Sequence, residues 1–67
     1  MNDFASRLKE LRLEKNLSLE KLAVEIGISY SSLRQWEARM RIPLANAVIV
    51  IAKYFGVTTD YILGLED

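Results

Sequence analysis

One arrangement occurs three times in the chain and limits its fold more than any other. An apolar residue precedes a hydroxyl residue, and a second apolar residue follows four positions after the hydroxyl. Leu17-Ser18 is followed by Leu22, Ile28-Ser29 by Leu33, and Val57-Thr58 by Ile62. At a helix start the hydroxyl oxygen accepts a bond from a backbone N–H that has no partner inside the helix. The two apolar residues then close over the first turn as a hydrophobic staple. Stop signals alternate with these starts: Asn16, Gly27, Pro43, Gly56 and Gly64.

Between starts and stops the apolar period is helical. Phe4, Leu8 and Leu11 share one stripe, Leu19, Leu22, Ala23 and Ile26 form a second, and Ala45, Val48, Ile49 and Ala52 a third. No stretch alternates as a half-buried strand does. The expected fold is all-α, a single compact domain over residues 1–67 with helices at about 3–15, 19–26, 30–39, 45–55 and 59–63.

Length and residue usage narrow the function. The 67 residues make one small domain, burying only roughly 60% of the surface an unfolded chain exposes. Cysteine and histidine are both absent. That removes disulfides, thiolate metal sites and the commonest general base. No enzyme, metal or cofactor is expected. No apolar run approaches the roughly 18 residues a membrane span needs, and Met1-Asn2-Asp3 does not open a signal peptide. A cytoplasmic protein is expected.

Nine basic residues balance nine acidic ones, so any attraction to a polyanion must be local. Residues 30–43 carry Arg34, Arg39 and Arg41 against Glu37, a net +2. Residues 44–67 carry Lys53 against Asp60, Glu66 and Asp67, a net −2. The middle of the chain is its basic part.

That basic part follows a three-residue connection, Gly27-Ile28-Ser29, which suits two steeply crossing helices. Ala23 is small at the expected crossing, and Leu22, Ile26, Ile28, Leu33 and Trp36 can lock the pair to the domain. The second helix of the pair then shows Tyr30, Ser31, Arg34 and Gln35 outward. Such a helix fits the DNA major groove with its N-terminal residues nearest the base edges.

With these residues in place the chain resembles the phage-repressor/Cro-like (XRE) helix-turn-helix family. The resemblance runs from Phe4 to Leu65. It is carried by Leu8-Lys9-Glu10-Leu11-Arg12, Leu22-Ala23, Gly27-Ile28-Ser29 and Trp36-Glu37 with Pro43 six residues later. Ile51-Ala52-Lys53-Tyr54-Phe55-Gly56-Val57 and Asp60-Tyr61-Ile62-Leu63-Gly64 complete it. It implies a lambda-repressor-like five-helix domain, bacterial or phage-encoded, that binds double-stranded DNA. Tyr30, Ser31, Arg34 and Gln35 would read bases, and Arg12 with Glu37 would form a buried framework ion pair. Ser18 and Ser29 at helix starts, with Arg39 at the end of the reading helix and Arg41 past it, are the phosphate-contact candidates. Two positions depart from the family pattern. Leu19 stands where relatives carry a phosphate-binding Gln, and Arg39 stands where they carry Gly. Arg39 either takes a left-handed backbone or lets its helix run on.

The fourth helix is apolar on more than one face. Val48, Ile49 and Ala52 are expected in the core, and Leu44, Ala47 and Val50, with Tyr54, at a homodimer contact. A two-fold dimer would set two reading helices roughly 34 Å apart. The function expected is a transcriptional regulator, a repressor on a palindromic or pseudo-palindromic operator. The alternative is a protein-interaction or antitoxin-like module of the same fold.

Overall fold

The structure, a computed structural model, describes residues 3–67 and has five helices in them. They are α1 (Phe4–Glu14), α2 (Leu19–Ile26), α3 (Tyr30–Glu37), α4 (Ala45–Phe55) and α5 (Thr59–Ile62). The described residues contain no strand. The reading made on Met1 and Asn2 lies outside the described residues.

All three expected hydroxyl caps form. Ser18 Oγ accepts from the Lys21 N–H at 3.0 Å, Ser29 Oγ from Ser32 at 3.1 Å, and Thr58 Oγ1 from Tyr61 at 2.9 Å. A fourth, at Asp3, starts α1: its carboxylate accepts from the Ser6 N–H at 3.0 Å, which makes Asp3 the cap and not the first helical residue.

Four of the five helices end in the same hydrogen-bonded motif, with one residue in the left-handed conformation. After α1, Leu17 N–H reaches Arg12 C=O and Asn16 N–H reaches Leu13 C=O, both at 3.0 Å. Equivalent pairs close α3 at Arg39 and Met40, α4 at Gly56 and Val57, and α5 at Gly64 and Leu65. Asn16, Gly56 and Gly64 have φ of 56°, 70° and 81°. Leu17 and Val57 each close one helix and staple the next. At α3 the left-handed residue is Arg39, with φ 60°. The expected helix 30–39 therefore stops at Glu37, because the backbone reverses its hand two residues on. The other shortened ends, Glu14 and Ile62, have the same origin.

The core is one cluster: Leu8, Leu22, Leu33, Trp36, Val48, Ile51, Ala52 and Ile62. Helix α3 packs on both α1 and α2, and α4 packs on α2 and α5. Ile49, expected in this core, is 46% exposed, and Ile51 is fully buried in its place. At 100° per residue the inward stripe of α4 runs through Val48, Ile51, Ala52 and Phe55, which turns Ile49 outward beside Lys53.

Candidate nucleic-acid interface

Helices α2 and α3 meet through Gly27-Ile28-Ser29. Gly27 takes φ 70°, and its N–H bonds to Ala23 C=O at 2.9 Å, ending α2. A Cβ added there would meet nothing within 4 Å. The backbone's hand calls for glycine at this turn, and crowding does not.

Helix α3 is held from beneath by Leu33 and Trp36, both buried. Phe4 of α1 meets Trp36 edge-on, with ring centroids 6.0 Å apart. At its C-terminal end the expected Arg12–Glu37 pair is present and two-pronged. Arg12 Nε donates to Glu37 Oε2 at 2.8 Å and Nη2 to Oε1 at 3.0 Å; Nη1 donates to Leu17 C=O at 2.7 Å. The two side chains are only 11% and 9% exposed. The hydrogen bonds to Glu37 raise the Arg12 pKa further, against the opposing effect of burial.

The opposite face of α3 is open. Tyr30, Ser31 and Arg34 are exposed and Gln35 is half-buried. Gln35 links two of its neighbours: Nε2 donates to Ser31 Oγ at 3.3 Å, and Oε1 accepts from Arg41 Nη1 at 3.2 Å. The structure thus brings Ser31, Gln35 and Arg41 into one polar row. Arg34 makes no ion pair among the described residues. Ser29 Oγ, besides capping α3, donates to Ser32 Oγ at 3.0 Å.

Arg39 lies apart from that row. Its left-handed backbone sends the side chain to the start of α1. There Nε and Nη2 donate to the two oxygens of Asp3 at 2.9 Å, and Nη2 also donates to Ser6 Oγ at 2.8 Å. Leu19 is half-buried against the core cluster.

Of the expected dimer residues, Leu44 is 74% and Val50 42% exposed, whereas Ala47 and Tyr54 pack against the core. Tyr54 O–H donates to Glu25 Oε1 at 3.1 Å, and Lys15 Nζ sits 4.9 Å from the Tyr54 ring centroid. Desolvation, and then the Glu25 bond, raise the Tyr54 pKa.

Sequence reasoning missed two residues. Asp3 carried a usable signal, since Asp is a favoured cap and Phe4 opens the apolar stripe. Arg7 carried none. It is 5% exposed, donates through Nη1 to the carbonyls of Tyr61 and Glu66, and stacks 4.0 Å from the Tyr61 ring centroid. These partners lie more than fifty residues away, beyond any local pattern.

Two capped helices joined through a left-handed glycine, with the second presenting a polar face above an apolar footing, define a helix-turn-helix domain. The sequence matches the helix-turn-helix family over residues 8–62, and the chain belongs to that family. It is 39% identical over 64 residues to the uncharacterized HTH-type transcriptional regulator YobD of Bacillus subtilis (strain 168), covering 96% of this chain and 57% of that protein. It is 34% identical over 65 residues to the HTH-type transcriptional activator BcrR of Enterococcus faecalis, covering 97% and 32%. To the cryptic phage CTXphi transcriptional repressor RstR of Vibrio cholerae it is 32% identical over 54 residues, covering 81% and 49%. The chain thus spans between about a third and three fifths of the length of these relatives. They are named as transcriptional regulators, and none is named as an enzyme. Among the described residues no helix is long and apolar enough to cross a membrane.

Proposed function

We propose that this domain binds double-stranded DNA sequence-specifically and regulates transcription, with α3 in the major groove. The observation that carries the reading is the polar row on α3. Ser31 and Gln35 stand on a helix face whose opposite side is fixed by Leu33, Trp36 and the Arg12–Glu37 pair. Gln35 can pair with adenine in bidentate fashion once its two exposed bonds exchange, worth roughly 1–3 kcal/mol of discrimination. Tyr30 reaches a thymine methyl or a phosphate, and Arg34 a base or a phosphate. Arg41 and the N–H groups at the capped starts Ser18 and Ser29 contact the backbone.

The operator is palindromic or pseudo-palindromic, and the regulator is a homodimer that acts as a repressor. The repressor role follows the printed role of the phage relative, whereas the Enterococcus faecalis relative is named an activator. The dimer is supported by the exposure of Leu44 and Val50, two apolar side chains left in solvent at the start of α4 and on it. Ala47 and Tyr54 flank that surface.

Selection of bound duplexes from a random pool tests this reading. Enriched half-sites about one helical turn apart are expected, with Gln35→Ala relaxing preference at one or two positions and Arg41→Ala weakening all duplexes alike. A pool that shows no enrichment at moderate salt refutes it. If a different protein copurifies while no duplex shifts, the domain is instead an interaction or antitoxin-like module.

A further inference from the structure

Three arginines make residues 30–43 the basic part of the chain, but the structure does not present all three. Arg39 stands at the one left-handed helix end filled by neither Gly nor Asn. Its guanidinium places Nε and Nη2 on Asp3 and Nη2 also on Ser6, which occupies three of its five N–H groups. A carboxylate taken side-on by an arginine offers the same two-oxygen geometry that a phosphate does. The pair is open to solvent, with side-chain exposures of 51% for Arg39 and 36% for Asp3, so a competing anion can reach it. Arg34 and Arg41, by contrast, have no carboxylate partner among the described residues.

We infer that Asp3 is an internal phosphate surrogate that occupies Arg39 and withholds it from polyanions. It thereby sets how strongly the domain holds nucleic acid without regard to sequence. The inference deepens the DNA-binding reading and rests on it for its biological sense. The reading helix keeps Ser31 and Gln35 for base recognition, while one of the three arginines of residues 30–43 is silenced. Non-specific attraction falls and the share of binding that depends on sequence rises. Acidity does not open this contact near neutrality, because the Arg39 hydrogen bonds, followed by the Ser6 N–H, hold the Asp3 carboxyl far below the usual carboxylate range.

A double-substitution cycle tests this with four proteins: the wild type, Asp3→Asn, Arg39→Gly and the double variant. Asn keeps a cap on α1, and Gly accepts the left-handed backbone, so all four should fold. Asp3→Ser, also cap-competent, replaces Asp3→Asn if helix content falls. Each protein is titrated with a random-sequence duplex across salt and eluted from immobilised heparin. Removing an acid strengthens binding to any polyanion somewhat in both backgrounds. Release of Arg39 predicts an excess only where Arg39 is present. There Asp3→Asn should tighten duplex binding by about threefold to fivefold and steepen the log–log salt slope by about 0.9. On heparin the salt needed for elution should rise more in the Arg39 background than in the Arg39→Gly background. Equal increments in the two backgrounds, on duplex or on heparin, overturn the inference. If no duplex binds any of the four while the heparin increments differ, the withheld arginine stands and the DNA reading fails.

Discussion

Replacing Glu37 by Gln removes one charge from a pair that is almost out of water while keeping its shape. Arg12 would then retain one neutral amide and the Leu17 carbonyl as partners. Breaking one side of a buried pair costs about 3–5 kcal/mol. The 11% and 9% exposures of these side chains and the surviving Leu17 bond at 2.7 Å put the expected loss at about 2–3 kcal/mol. A domain of this size has a total stability of only about 3–10 kcal/mol, and each kcal/mol moves its melting temperature by roughly 4–8 °C. A drop of about 15 °C should follow. Replacing both members, Arg12→Met with Glu37→Leu, removes both charges and leaves the Leu17 carbonyl as the main casualty, at about 1 kcal/mol. The double variant should therefore be more stable than Glu37→Gln. Guanidinium denaturation followed by far-ultraviolet circular dichroism measures all three free energies, provided the slopes agree. A Glu37→Gln loss below about 1 kcal/mol, or a double variant less stable than Glu37→Gln, would refute the reasoning that a buried Arg12 left without its carboxylate is what costs stability.

Other outcomes follow from the same geometry. Gly27→Ala should destabilise by about 1–2 kcal/mol through the left-handed backbone alone, because no neighbour stands within 4 Å of the new Cβ; Gly27→Asn should lose less in the same melts. Arg7→Met should leave α1–α4 protected while amide exchange accelerates across Tyr61–Glu66, since Arg7 donates to both carbonyls. Asp3, with its pKa lowered chiefly by Arg39, contributes stability present above its unfolded value near 3.8 and lost as pH falls toward the folded one. The melting temperature of the wild type should then fall more steeply than that of Asp3→Asn when pH drops below about 4.

Local chemistry made most of the fold legible before the structure. A hydroxyl residue framed by one apolar residue before it and another four positions after it marks a helix start from local sequence alone, so Leu17-Ser18, Ile28-Ser29 and Val57-Thr58 announced three helix starts. The end of α3 was less readable. Arginine rarely adopts a left-handed backbone, and what accompanies that conformation here is a carboxylate thirty-six residues earlier. Ile49 was misplaced for a related reason. On a helix apolar nearly all round, periodicity cannot select the inward stripe, and contacts with α2 and α5 decide it. The site was legible in its polar face, Tyr30, Ser31, Arg34 and Gln35. It was not legible in its charge, because pairing between Asp3 and Arg39 is a property of tertiary structure.

The fastening of α3 also has a thermodynamic consequence. The helix is capped at Ser29, footed on Leu33 and Trp36, and tied at Glu37 to α1. A segment ordered so fully in isolation gives up little conformational entropy when it meets a partner. Its association should therefore show the modest negative heat-capacity change of two preformed surfaces closing, without the large excess that marks folding coupled to binding.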